Sequence, residues 1–263
     1  MIQKNPFNGL TFLLTRDPDS NKKLARVLTG MSAHVIDWPG FKYVEKRTTP
    51  LLKDCLNHIA DFDWIIFTST RAVFYFLKKY HAVHCGLKPL ARVKVAAVGI
   101  KTAELAKEQG MAVHLCPQRP SIKSLVEESA FKNSKNKRIF IPRSEDARDD
   151  FVRAYQKIHE IHHFVFYKKR FIKQDSHDVI RLKQTGVDWV LFFSPSAVAS
   201  FTNNFCRQHE AVVFLQRTKV AVIGKTTASH LDSLGVAPCV VSKKSTGDDL
   251  IKGILKHVLS KHI

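Results

Sequence analysis

The chain is expected to fold as two α/β domains, each with a flavodoxin-like or Rossmann-like parallel sheet, produced by an internal duplication. Three observations predict this. Short apolar runs alternate with segments of helical periodicity. Residues of one stretch return 125 positions later, and 263 residues with 44% hydrophobic content suffice for two ordinary cores. Asp63, Trp64, Ser69, Phe76, Gly99, Thr102, Gly110 and Leu125 recur as Asp188, Trp189, Ser194, Phe201, Gly224, Thr227, Gly235 and Leu250. An earlier pair, Phe12-Leu13-Leu14-Thr15-Arg16 and Ile139-Phe140-Ile141-Pro142-Arg143, recurs at 127. Periods of about 20–50 residues mark solenoids and propellers, whereas this one has the size of a compact domain.

In chain order, Leu10 to Thr15 reads as a strand that runs through Thr-Arg-Asp-Pro into a helix marked by Leu24, Val27 and Leu28. Ala33 to Trp38 is a second strand, stopped by Pro39-Gly40. Leu51, Leu52, Cys55, Leu56 and Ile59 line one face of a helix over 48–60. Asp63 to Phe67 is a strand leading through Thr68-Ser69 into a helix with Val73, Phe76, Leu77 and Tyr80 inward. Val93 to Val98 is a buried strand, followed by a helix that Gly110 closes. Met111 to Cys116 is the next strand, and Ser121 caps a helix through Glu128. The second copy repeats the pattern: strand 138–141, helix 149–158, strand 162–167, helix 176–185, strand 188–193, helix 196–208, strand 219–223, helix 226–234, strand 237–241 and a last helix from Thr246. Alternation of this kind implies parallel sheets covered by helices on both faces. The polar stretch Lys132 to Lys137, taken by itself, is the natural interdomain linker, while turn-like breaks at 39–47 and 168–175 fall at equivalent places in the copies.

Composition excludes several classes. The first nine residues lack an apolar signal core, and the longest apolar runs are far too short to span a bilayer, so a cytoplasmic protein without membrane association is expected. Five scattered cysteines without a C-x-x-C pair argue against a disulfide framework or zinc ribbon, and the trio His81, His84 and Cys85 reads as a solvated helix end, so no metal is assigned. Gly224-Lys225-Thr226 ends like a phosphate-binding loop, but Lys219 stands where that motif needs glycine. No G-x-G-x-x-G follows a first strand, and no G-x-S-x-G surrounds Ser69 or Ser194, so neither a cofactor nor a nucleophilic triad is implied. The formal net charge of +19 attracts polyanions. No DNA- or RNA-binding module accompanies it.

In open parallel sheets, ligands bind outside the carboxyl ends of strands, where helix N-termini present free amides. The repeated hydroxyls cluster there: Thr68 and Ser69, Ser194 and Ser196, Thr102, and Thr226 with Thr227. Singly, each is an ordinary helix cap; matched sets point to a shared anion-holding cleft. Tyr167 closes a strand on the same edge.

These loops resemble the uroporphyrinogen-III synthase family. The resemblance rests on Ile66-Phe67-Thr68-Ser69-x-Arg71-Ala72-Val73, Ala97-Val98-Gly99-x-x-Thr102-Ala103, Arg143-x-x-x-x-Arg148, Phe166-Tyr167, Phe192-Phe193-Ser194-Pro195-Ser196-Ala197-Val198 and Ile223-Gly224-x-Thr226-Thr227-Ala228, and spans essentially the whole chain. It implies a first, discontinuous domain from 1–38 plus 172–263 and a second from 42–168, joined by antiparallel connecting segments at 39–41 and 169–171. Lys132 to Lys137 then becomes a loop within one domain.

The resemblance also implies a monomeric hydro-lyase that cyclises hydroxymethylbilane with inversion of ring D, with transient handover from hydroxymethylbilane synthase. Thr68, Ser69, Thr102, Ser194, Ser196, Thr226 and Thr227 match substrate-lining positions. Tyr167 matches the tyrosine that assists hydroxide departure as proton donor. Arg143 and Arg148 match an Arg-Gly-x-x-Gly-Arg loop whose glycines are Ser144 and Ala147 here, and Arg16 follows the first strand as a further carboxylate partner. A two-domain binder of a small polyanion, without chemistry, is the competing expectation.

Overall fold

The computed structural model describes residues 5–244 and 246–260; residues 1–4 of the polar N-terminal stretch lie outside the described residues. The strands are β1 (Thr11–Leu14), β2 (His34–Asp37), β3 (Phe41–Glu45), β4 (Trp64–Phe67), β5 (Lys94–Ala97), β6 (Val113–Leu115), β7 (Arg138–Ser144), β8 (Glu160–Phe171), β9 (Trp189–Phe192), β10 (Lys219–Val222) and β11 (Val240–Val241). The helices are α1 (Pro18–Gly30), α2 (Pro50–Asn57), α3 (Thr70–Tyr80), α4 (Ile100–Glu108), α5 (Ile122–Val126), α6 (Ser129–Lys132), α7 (Asp150–Tyr155), α8 (Ser176–Thr185), α9 (Pro195–Thr202), α10 (Gln208–Gln216), α11 (Lys225–Asp232) and α12 (Gly247–Leu259).

Contacts divide the chain into two compact units, Met1–Lys42 with Arg170–Ile263, and Tyr43–Lys169. The first holds the sheet β11-β10-β9-β1-β2. Numbered by their order in the chain, its strands lie 2-1-3-4-5, the flavodoxin order. The second sheet runs β3-β8-β7-β4-β5-β6, and without β3 it has the same spatial order, entered at a different strand. A compact unit is therefore not one sequence copy: each sheet joins the opening strand pair of one copy to the closing three strands of the other. Lys132 to Lys137 runs from the last residue of α6 to the start of β7 inside the second unit, not between units.

Three elements escape the sequence pattern: β3, α6 and α10. β3 occupies part of the break at 39–47; bonds from Lys46 N to Phe166 O (2.9 Å) and Ile172 N to Gly40 O (3.1 Å) run it antiparallel to β8. The helix expected at 196–208 stops at Thr202, Asn203 caps it, and α10 follows. Residues 211–215 of α10 are continuously apolar, which erases the 3.6-residue signal.

The repeated Asp-Trp pair is architectural. Asp63 Oδ2 accepts from Arg138 N at 2.9 Å, and Asp188 Oδ2 accepts from Thr11 N at 2.8 Å. Each carboxylate thus ties neighbouring strands at the amino edge of its sheet. Burial pushes the Asp63 carboxyl up, but the Arg138 amide and the Lys137 ammonium outweigh it, and the folded-state pKa lies below the ordinary value. A depressed carboxyl pKa stabilises the fold above the unfolded-state value, and that contribution fades as pH falls through the folded-state value. Asp63→Asn is therefore expected to lower the urea midpoint at pH 7, with the gap to wild type closing below about pH 4. A gap independent of pH contradicts this.

The repeated glycines Gly110 and Gly235 take φ of +82° and +75°, the left-handed region beyond α4 and α11. A side chain there costs roughly 1–2 kcal/mol. A Cβ at Gly110 would also stand 2.9 Å from Leu87 Cδ1, whereas at Gly235 the nearest atom is Gln216 Nε2 at 3.7 Å. Both alanine variants are expected to lose stability in urea titrations, Gly110→Ala more than Gly235→Ala; the reverse order contradicts this reading.

Candidate active site

Flavodoxin-order sheets place their switch point between local strands 1 and 3, and ligands sit outside the carboxyl ends there. In the Tyr43–Lys169 unit those strands are β7 and β4. β4 ends at Phe67, Thr68 is half-buried, and Ser69 caps α3, its Oγ accepting from Ala72 N at 3.1 Å. The same Oγ lies 2.9 Å from the phenol oxygen of Tyr167. A register shift between Arg143 and Ser144 creates this meeting: Arg143 pairs with Val165, but Ser144 pairs with Tyr167. Neighbours on a regular strand face opposite sides. The extra residue instead lets Phe166 and Tyr167 enter the same core.

Tyr167 is 4% exposed, stacked on Tyr75 at 4.9 Å and 16°, with Tyr43 edge-on at 5.8 Å. Burial pushes its phenol pKa up, against the opposing hydrogen bond from Ser69. The group therefore stays protonated at neutral pH and can serve as a donor to a leaving oxygen. Arg71, on the first turn of α3, lies 3.7 Å above the Tyr43 ring.

Arg143 and Arg148 differ sharply. Arg143 is 8% exposed; its guanidinium bonds the Asp149 carboxylate and Ala147 O, and its Nη1 lies 3.3 Å from His163 Nδ1. That geometry braces the loop after β7. Arg148 is exposed on the same loop.

In the other unit the switch strands are β1 and β9. Thr15 is fully buried and donates to Leu191 O at 2.7 Å, which locks the end of β1 to β9. Arg16 follows, with its guanidinium 4.7 Å over the ring of Phe193 and its amide donating to Asn21 Oδ1 at 3.1 Å. Ser194 caps α9, accepting from Ala197 N at 3.2 Å, and its Oγ lies 3.0 Å from Ser196 Oγ. Arg16, Phe193, Ser194 and Ser196 thus gather on one edge.

The residues after β5 and β10 split. Gly99 and Gly224 precede α4 and α11 in extended conformations without a side-chain cap. Thr226 is exposed, but Thr102 and Thr227 are 6% and 2% exposed. Their side chains are buried. Serine and threonine composition does not separate these orientations; the phase of the first helical turn does. Sequence reasoning also missed Tyr43, Tyr75 and Phe193, whose aromatic character was visible but whose stacking partners were not. Among the described residues, no three His, Cys, Asp or Glu side chains are grouped to hold a metal ion.

Each unit is an α/β fold whose switch point presents helix amides, hydroxyls and an arginine held over an aromatic ring, groups that bind anions. A family model described as uroporphyrinogen-III synthase HemD matches residues 22–252. The chain belongs to the uroporphyrinogen-III synthase family. It is 28% identical over 209 residues to the uroporphyrinogen-III synthase of Synechococcus elongatus, covering 78% of this chain and 77% of that one. The fold is similar to uroporphyrinogen-III synthetase from Helicobacter pylori (TM-score 0.61, 17% identity, 94% and 99% of the two chains). It is also similar to a mutant uroporphyrinogen III synthase from the extremely thermophilic bacterium Thermus thermophilus (TM-score 0.60, 18% identity, 96% and 100%).

Proposed function

We propose that this chain is a cyclising hydro-lyase that converts hydroxymethylbilane to uroporphyrinogen III, with ring D inverted, in haem biosynthesis. Family membership supports the reaction. The observation that carries the site assignment is the buried, protonated Tyr167 phenol held 2.9 Å from Ser69 Oγ at the switch point.

The substrate bears an acetate and a propionate on every ring. Ser69 and Thr68 with the first amides of α3, and Ser194, Ser196 and Arg16 with those of α9, hold these carboxylates; Arg148 and Thr226 contribute from exposed positions. Arg143 acts by bracing the loop that presents Arg148. Thr102 and Thr227 act by fixing the starts of α4 and α11. Tyr167 gives its proton to the departing hydroxide, which leaves as water and generates an azafulvene. Ring D attacks this carbon through its substituted α-position to form a spiro intermediate, which fragments and recloses with that ring inverted. The phenolate recovers a proton when the closed ring loses one, so the balance is loss of one water. Bilane closes without enzyme to the uninverted isomer, so conformational control is the main contribution. The +19 charge draws the polyanion in.

The finer organisation belongs to the same reading: the two units descend from one duplicated ancestor whose copies exchanged strand pairs, and the antiparallel β3 and β8 segments connect them. The enzyme works as a cytoplasmic monomer and takes substrate from hydroxymethylbilane synthase. Among the described residues, no helix is long and apolar enough to cross a membrane.

Purified protein mixed with freshly made bilane, with the products resolved by isomer, tests the reaction. Isomer III in excess is expected. Isomer I alone, at the background rate, would leave a binder without chemistry.

A further inference from the structure

The amino edges of the two sheets have diverged at positions the repeat makes comparable. In the Tyr43–Lys169 unit that edge holds a cavity of about 280 Å³ walled by Asp61, Phe62, Asp63 and Arg92, with Lys137 paired to Asp63 at 2.9 Å. The matching residues of the other unit, 125 positions later, are Gly186, Val187, Asp188 and Arg217. There the cavity is about 510 Å³.

Two changes enlarge it and alter its chemistry. Gly186 removes the carboxylate of Asp61, while Asp188 keeps only the strand tie that Asp63 also makes, here to Thr11 N. Where the first copy has a short 3-10 turn, Lys88–Arg92, the second builds the nine-residue α10. Val213 and Phe214 of that helix, with Val187, supply an apolar surface, and Phe214 is anchored against Phe201 and Phe205 at 6.0 and 5.9 Å. Lys183 Nζ bonds Glu210 at 2.8 Å, so these two charges compensate one another. Arg217 remains as surplus positive charge on the lining, with His209 as a further polar group. The volume lies in the range of small-ligand pockets, about 300–1,000 Å³.

We infer that this cavity is a binding site for a small amphipathic monocarboxylate, with its apolar body on Val187, Val213 and Phe214 and its carboxylate on Arg217. A guanidinium meets a carboxylate through two parallel hydrogen bonds, which a neutral isostere cannot reproduce. The site lies at the starts of β9 and β10, at the opposite edge of that sheet from Ser194 and Thr227.

Calorimetric titration of the full chain with 1-naphthoate, and with the neutral 1-naphthalenemethanol, tests the assignment. One saturable naphthoate site is expected, with the alcohol weaker by about tenfold or more. Arg217→Gln is expected to weaken naphthoate by about tenfold or more, and Arg92→Gln, its counterpart in the other unit, to leave it unchanged. Val213→Asp, which sets a negative charge on the apolar surface, should abolish binding; thermal melts check that each variant is folded. Absence of saturable binding, equal affinity for the alcohol, or naphthoate affinity unaffected by Arg217→Gln overturns the proposal. The last result would place naphthoate at the carboxyl-edge clusters instead.

Discussion

Trp189→Ala is expected to destabilise the Met1–Lys42 and Arg170–Ile263 unit by about 3–5 kcal/mol, the range for removing a large buried aromatic side chain. Trp189 is fully buried and opens β9, which lies between β10 and β1 at the centre of its sheet. Its ring is stacked on Phe12 at 6.3 Å and 6°, and Lys219 Nζ lies 5.7 Å from its centroid. No neighbouring group among those described can expand to fill so large a void without shifting a strand. Domains are stable by only about 5–15 kcal/mol, so this loss is a large fraction of the total. Trp189→Phe should cost less than half as much, since it keeps the ring contacts and drops an indole N–H that has no hydrogen-bond partner among the described residues. Urea unfolding followed by circular dichroism measures both. A loss under about 1 kcal/mol for Trp189→Ala would contradict the packing account.

Ser69→Ala and Ser194→Ala are expected to lower kcat/KM by roughly 10–100-fold each, because a hydrogen bond to a charged group is worth about 1.5–3 kcal/mol. Ser194 caps α9 and adjoins Ser196, so its loss should appear chiefly in KM as weaker carboxylate binding. Ser69 also adjoins the Tyr167 phenol, so its loss should lower kcat as well. Each variant also loses a helix cap, worth about 1 kcal/mol, which leaves most of the protein folded. Steady-state kinetics on the bilane separates the two patterns. Unchanged kcat/KM in both variants would remove the hydroxyl clusters from substrate binding.

Much of this organisation was legible because it depends on local chemistry. Buried strands announce themselves as apolar runs, and Asp63 with Asp188, Ser69 with Ser194, and Gly110 with Gly235 recur because each copy needs the same edge tie, helix cap and left-handed turn. What stayed hidden depends on pairing in space. Which strands of the two repeats become sheet neighbours is such a pairing, and periodicity is silent on it. The register shift that brings Tyr167 to Ser69 involves one extra residue on β8, with no compositional mark. Arg143 carries the signature of a carboxylate receptor, yet Asp149, six residues away, claims its guanidinium. Thr102 and Thr227 belong to the right loops but face inward.

The central claim is that holding the bilane in shape, rather than acid catalysis, determines the product. Turnover and isomer composition of Tyr167→Phe test it most directly. Removal of the phenol proton donor while the conformational grip remains is expected to slow the reaction by less than the roughly 10²–10⁴-fold typical of a lost general acid, with isomer III still the product. Complete loss of isomer III in a folded variant would contradict the account.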